Sequence, residues 1–238
     1  MKLDILAFGA HPDDVELGCS GTLAKEISLG KKVGIIDLTR GELGTRGSVE
    51  IRNSEAANAA NILGIAAREN LDMRDGFFQN DETNQLKIIK MIRKYQPEIV
   101  ICNAIHDRHI DHGKGSKLVS DACFLSGLRR IETAINGLNQ NAWRPKVVYH
   151  YIQWETISPD FVVDISGFMD KKEASILAYS SQFYDPNSNE PESPITSKNF
   201  LDSVKYRAQD LGRIVGVAYA EGFTVERYVA VNSLGDLM

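Results

Sequence analysis

The 238 residues carry 27 Lys and Arg against 32 Asp and Glu, a net charge of −5, with 43% hydrophobic and 25% charged residues. That is ordinary for a soluble globular chain and long enough for one large domain spanning 1–238. The acidic balance argues against nucleic acid as a partner, because phosphate binding needs a basic surface, and no apolar run approaches the roughly 20 residues of a membrane span. Cys19, Cys102 and Cys123 are widely spaced in apolar segments. They read as small core residues in a reducing compartment, and with no signal-peptide layout at Met1 the expected location is the cytoplasm.

Strand and helix patterns alternate along most of the chain. The apolar run Leu3 to Phe8 reads as a buried strand, and Ala10-His11-Pro12-Asp13-Asp14-Val15-Glu16 as a strand-to-helix turn. Pro12 suits that turn, since its φ is fixed and it has no N–H to lose at a helix start. A helix over Leu17–Leu29 follows, with Gly30 as its C-cap. Lys32–Leu38 is a second strand, Thr39–Ser48 a polar loop with three glycines, and Glu50–Leu63 an alanine-rich helix ended by Gly64. Asn70–Met73 is expected as a short third strand. Asn84–Tyr95 is a basic amphipathic helix stopped by Pro97, and Glu98–Cys102 a fourth strand buried on both faces. The loop Asn103–Gly113 is strongly polar, and Lys114–Leu128 returns to helix. Strands are expected at Pro145–Trp154 and Phe161–Ile165, helices at Met169–Tyr179 and Asn199–Ile214, with a loop containing three prolines over Ser180–Ser197. The Tyr219–Tyr228 region closes the chain.

Repeated strand–helix units imply a Rossmann-like, doubly wound α/β fold: a mostly parallel sheet with helices on both faces. In such sheets the order commonly runs 3-2-1-4-5, and ligands sit beyond the carboxyl ends of strands 1 and 4. The polar cluster after strand 1 is His11, Asp13 and Asp14. The cluster after strand 4 is His106-Asp107-Arg108-His109-Ile110-Asp111-His112, which holds three of the chain's five histidines. A lone Asp there would cap a helix and a lone loop His would be solvated, but both clusters facing one crevice point to a metal site. Ligation by three His and Asp side chains leaves the open position of a catalytic zinc site. A carboxylate beside such ligands is free to handle a proton.

His11-Pro12-Asp13-Asp14 together with His109-x-Asp111-His112 resembles the zinc-dependent N-acetylglucosamine deacetylases of the LmbE/PIG-L type. The likeness runs nearly the full length, through Thr39-Arg40-Gly41-Glu42, Gly44-Thr45-Arg46-Gly47, and Arg52 with Glu55. Val163-Asp164-Ile165-Ser166, Tyr179-Ser180-Ser181-Gln182-Phe183-Tyr184 and Tyr219-Ala220-Glu221-Gly222-Phe223 resemble the bacillithiol-pathway branch, which deacetylates N-acetylglucosaminyl malate. Ile110 stands where the family usually has Pro.

The resemblance implies that His11, Asp14 and His112 bind one Zn²⁺, with Fe²⁺ or another divalent ion as the alternative. It implies that Asp13 is the general base toward the metal-activated water, and that His109 is a second catalytic residue, an imidazolium for the oxyanion or the departing amine. Asp111 is expected to hold the His109 ring. Arg52, Arg46 and Arg108 are candidates for substrate carboxylates or hydroxyls; for Arg52 the competing reading is a surface pair with Glu55. Tyr184 and Tyr219 stay open as oxyanion donors, His106 and Asp107 read as plain loop residues, and His150 as a satisfied core histidine. The implied partner is a small amino-sugar substrate, and a homo-oligomer stays open. The alternatives are a deacetylase of a chito-sugar or lipid-linked N-acetylglucosamine compound, and a non-catalytic nucleotide- or sugar-binding module. The last would need a glycine-rich phosphate turn after strand 1, where this chain has His-Pro-Asp-Asp and places Gly18 and Gly21 inside the helix.

Overall fold

The computed structural model describes residues 1–237. In chain order the elements are β1 (Ile5–Gly9), α1 (Asp14–Ser28), β2 (Val33–Thr39), α2 (Val49–Leu63), β3 (Ala67–Met73), α3 (Glu82–Tyr95), β4 (Ile99–Cys102), α4 (Ile110–Ser126), β5 (Ala134–Ile135), β6 (Leu138–Asn139), β7 (Val147–Tyr151), β8 (Phe161–Asp164), α5 (Met169–Leu177), α6 (Lys198–Val215) and β9 (Ala220–Val225). The main sheet has seven strands in the order β3-β2-β1-β4-β7-β9-β8. The strands from β3 to β7 pair in parallel, while β9 runs antiparallel to β7 and β8. The expected order 3-2-1-4-5 is therefore present, with β7 as its fifth strand and an antiparallel extension beyond it.

Alternation along the strands divides the core into two layers. Leu6, Phe8, Ile36, Leu38 and Val100 pack with Ile88, Ile92 and Leu118 from α3 and α4. Their neighbours Ile5, Ala7, Ile35 and Ile101 pack with Val15 and Leu23 of α1 and Leu63 of α2. Because both faces are covered, β1, β2 and β4 read as unbroken apolar runs, and their polar continuations emerge together at one sheet edge.

Where the structure departs from the sequence reading, polar contacts explain it. β3 begins at Ala67 and not Asn70, because Arg68 pairs with Asp37 (Nε–Oδ2 2.8 Å) and with Glu16 (Nη1–Oε1 2.6 Å) and so seats a strand with no apolar pattern. α4 begins at Ile110 and not Lys114, with His109 as its N-cap, Nδ1 accepting from the Asp111 N–H at 3.3 Å. Asp111 and His112 thus lie in the first helical turn, which Gly113 and Gly115 disguised. The hairpin β5–β6 went unread; Asn136 and Gly137, at φ 51° and 78°, form the left-handed pair that such two-residue turns need.

α1 carries the first polar cluster, and its seat is unusual. Lys172, 2% exposed, donates to the carbonyls of Glu16 and Leu17 and to Glu221, whose carboxylate accepts the N–H groups of Gly21 and Thr22. A buried ion pair is thereby bonded to the backbone of the helix on which Asp14 is mounted. Gly18 and Gly21 serve packing, not phosphate binding: a Cβ on Gly18 would lie 2.2 Å from the Tyr151 ring, and one on Gly21 2.7 Å from Ile165. Gly18→Ala sets a helix-propensity gain of about 1 kcal/mol against an overpacking cost of roughly 1–3 kcal/mol. Its urea unfolding midpoint is expected to fall; a rise would mean that Tyr151 yields freely.

Candidate metal centre and active site

The turn after β1 is held by its own side chains. The Asp14 carboxylate accepts the His11 N–H at 2.9 Å through Oδ2, and Asn103 Nδ2 donates to the same oxygen at 3.0 Å. Asp14 Oδ1 accepts from Gln153 Nε2 at 2.7 Å and lies 3.1 Å from His112 Nε2, while His11 Nδ1 is 3.5 Å from Oδ2. Asp13 precedes the helix at φ 115°, a conformation costly for a residue with a Cβ. Arg52 fixes it there: Nη2 donates to Asp13 Oδ2 at 2.9 Å and to the Pro12 carbonyl, and Nη1 to the Gly41 carbonyl at 3.3 Å.

The facing wall comes from the end of β4. The rings of His11, His109 and His112 cluster with centroids 4.6–5.6 Å apart. Asp107 Oδ2 lies 2.7 Å from His112 Nδ1 and orients that ring. A third contribution comes from the loop after β3, where Asp75 Oδ1 stands 3.0 Å from His11 Nε2. Through one donor atom each, His11, His109 and His112 converge within 4.8 Å, and so do His11, Asp75 and Asp111. Asp14 bridges His11 and His112 with its two separate oxygens.

Asp13, Asp14, Asp75 and Asp111 are all at most 5% exposed. Burial pushes the Asp13 carboxyl up to about 7 against the pull of Arg52. Burial would lift Asp14 as well, but His112 and His11 hold it well below the usual carboxylate range. His109 is lowered by burial and by the neighbouring His11 and His112. Hard carboxylate oxygens and imidazole nitrogens, sunk together and short of cations, are the donor chemistry of a divalent ion. The residues fit one.

A pocket of about 360 Å³ opens over this cluster, lined by every one of the expected site residues except Asp111. Asp111 does not hold His109 by its carboxylate: Oδ2 accepts the Gly76 N–H at 2.7 Å and Oδ1 lies 2.7 Å from Lys114 Nζ, so it braces the loop after β3. Arg52 pairs with neither Glu55 nor open space, its donors being directed at Asp13 and the turn; Glu55 accepts instead from Ser180 and Ser181. Arg46 also lines the pocket, but Nε and Nη2 donate to the carbonyls of Pro191 and Glu190, fastening the loop after α5. Arg108 stays exposed, with its guanidinium carbon 4.5 Å from the Trp154 ring. Among the described residues no tyrosine lines the pocket, so neither Tyr184 nor Tyr219 serves there; Phe200 and Trp154 supply its aromatic wall. His150 is a satisfied core histidine, bonded to Ser116 Oγ at 2.8 Å and Glu226 Oε1 at 3.0 Å.

The sequence reading missed Asp75, Asn103, Gln153, Trp154 and Arg207, and left Asp107 as a loop residue. Asp75 was findable, since it follows the third strand at the same sheet edge. Gln153 and Trp154 come from the irregular stretch after β7, and Arg207 from the middle of α6, with no motif to mark any of them.

An open α/β sheet with a His/Asp crevice at its switch point defines a class, and comparison with known proteins agrees. The model of the family PIG-L, GlcNAc-PI de-N-acetylase, matches residues 6–123, from β1 to α4. Uncharacterized deacetylase YaiS of Escherichia coli is 40% identical over 114 residues; the match spans 45% of this chain and 61% of that relative's length. Diacetylchitobiose deacetylase of Thermococcus kodakarensis is 29% identical over 191 residues, 75% of this chain and 70% of that protein. The crystal structure of the conserved protein TT1542 from Thermus thermophilus superposes with a TM-score of 0.86 at 36% identity, covering 98% of both chains. Residues 6–123, just under half of the chain, thus match the PIG-L family.

Stripped protein is expected to take up one divalent ion per chain, measured by competition with a chromophoric chelator. Removing the carboxylate behind a histidine ligand typically weakens a metal 10- to 100-fold, so Asp107→Ala should do so here. Unchanged affinity would mean that His112 is not a ligand.

Proposed function

We propose that this protein is a metal-dependent hydrolase that removes the N-acetyl group of an N-acetylglucosaminide, N-acetylglucosaminyl malate of bacillithiol biosynthesis, in the cytoplasm. The observation that carries the reading is a buried carboxylate, Asp13, held by Arg52 beside a cluster of His and Asp donors that opens into a sugar-sized pocket. His11, Asp14 and His112 would hold the ion, zinc by its donor set. Bound there, a divalent ion polarises the amide carbonyl and makes water acidic enough to attack near neutral pH.

The chain's own residues do the rest. Asp13 takes the proton of the attacking water, and Arg52 keeps its carboxylate turned into the pocket. The water oxygen bonds to the acetyl carbon, the C–N bond breaks, and the proton passes to the departing amine, leaving acetate and the free amino sugar. His109 accepts the Asp111 N–H at Nδ1, which puts the proton of the neutral ring on Nε2. It can therefore donate a hydrogen bond to the oxyanion as a neutral imidazole. Asp107 and Asp75 orient His112 and His11. The turn after β1 carries Asp13 and Asp14 in place of a glycine-rich phosphate loop, and Gly18 and Gly21 pack against Tyr151 and Ile165, so a nucleotide-binding reading finds no phosphate cradle there. Three free buried cysteines accord with a reducing compartment, and among the described residues no helix is long and apolar enough to cross a membrane.

A second reading is a chito-sugar deacetylase, favoured by the match to the diacetylchitobiose enzyme over 75% of this chain. Amine release from N-acetylglucosaminyl malate and from diacetylchitobiose, side by side, separates the two. The malyl compound should be turned over with the higher kcat/KM; the reverse order would make the chito-sugar the substrate. Asp13→Asn should keep its metal and lose turnover by about 10²- to 10⁴-fold, the usual worth of a general base. Near wild-type turnover would remove Asp13 from that role.

A further inference from the structure

The four arginines that line the pocket are differently engaged. Arg52 and Arg46 are spent on Asp13 and on the loop carbonyls of Glu190 and Pro191. Arg207, on α6, makes one hydrogen bond among the described residues, from Nη2 to the Trp154 carbonyl at 2.8 Å. A guanidinium has five N–H donors, so most of this one is uncommitted inside a half-buried wall. Arg108 reaches the same place from the opposite loop, its guanidinium 4.5 Å from the Trp154 ring.

Trp154 joins this wall to the metal centre. Its backbone N–H donates to Asp107 Oδ2 at 3.3 Å, and that oxygen is also 2.7 Å from His112 Nδ1. The pocket is therefore divided by charge. Carboxylates gather around the histidines, and the charged residues lining the pocket on the Trp154 side are two guanidiniums with donors to spare, backed by the Asp107 carboxylate, which acts on Arg207. The indole is an unpromising platform for a second neutral sugar, because Phe200 stacks on it at 5.1 Å and Arg108 also packs on it. A planar carboxylate, in contrast, matches the guanidinium fork.

Resting on the deacetylase reading above, we propose that Arg207, with Arg108 beside it, receives a carboxylate of the substrate's aglycone and sets the preference for acidic over neutral N-acetylglucosaminides. The amide then lies toward His109 and Asp13 while the acidic group is held at the Trp154 end. Arg46 and Arg52 act on the protein instead, and the positive charge for the substrate comes from an element that no sequence motif marked.

The test compares kcat/KM for amine release from N-acetylglucosaminyl malate and from methyl N-acetylglucosaminide in wild type, Arg207→Met, Arg207→Lys and Arg108→Met. The malyl-to-methyl ratio is expected to fall about 10- to 100-fold in Arg207→Met, chiefly through KM. The drop should be smaller in Arg207→Lys, which keeps the charge and loses the fork, and present in Arg108→Met, where an exposed side chain is truncated. An unchanged ratio, whether both substrates fall together or neither does, would overturn the proposal and leave Arg207 as a prop for Trp154. A second arm measures binding of glucosaminyl malate and of glucosamine to the zinc-loaded protein by titration calorimetry. If wild type released amine from neither substrate, the deacetylase reading would fail; an Arg207-dependent preference for the malyl ligand would still support the subsite, and equal binding would overturn it.

Discussion

Burying Asp13, Asp14, Asp75 and Asp111 in one crevice is the constraint from which the rest of the structure follows. Desolvating a carboxylate costs several kcal/mol even after relaxation, so each must be met by a donor or a cation. Asp13 has Arg52, and Asp111 has Lys114 and the Gly76 N–H. Asp14 has four hydrogen-bonding or ionic neighbours, and Asp75 faces His11 and accepts the Leu43 N–H. The neutralising groups come from α2, α4 and the loops after β1, β2, β3, β4 and β7, which is why these segments converge on one edge. In the proposed reading His11, Asp14 and His112 also hold a divalent ion, whose charge would add to this balance.

The scaffold makes that convergence rigid. Two apolar layers clamp β1 and β4, so the turns that follow them inherit fixed positions. α1 is locked by the Lys172–Glu221 pair bonded to its backbone and by the close approach of Tyr151 to Gly18. Breaking a buried pair strands a charge at a cost of about 3–5 kcal/mol, which couples the last strand of the sheet to the placement of Asp14. Catalytic placement here is a property of the core as much as of the crevice.

Much of this was legible in the sequence because it is local. Apolar strands buried on both faces, the His-Pro-Asp-Asp turn and the histidine cluster all announce themselves within ten residues, and the strand order brings the clusters together. What was illegible depends on contacts between distant segments. Arg52 and Arg46 look like substrate residues until their acceptors are known, and their acceptors are backbone carbonyls and Asp13. Asp111 stands two residues from His109, yet its carboxylate turns toward Lys114, three residues on along the same face of α4. β3 has no apolar period because ion pairs seat it. Arg207 belongs to an amphipathic helix whose register alone does not tell a pocket wall from a solvated face.

The most direct test of this account is calorimetric unfolding of metal-stripped protein with and without zinc. A ligand that binds only the native state raises the transition in proportion to its affinity and concentration. The account predicts a clear upward shift in wild type that largely disappears in Asp14→Asn, whose neutral amide removes both the ligand and the charge to be balanced. An equal shift in the two proteins, or none in wild type, would contradict it.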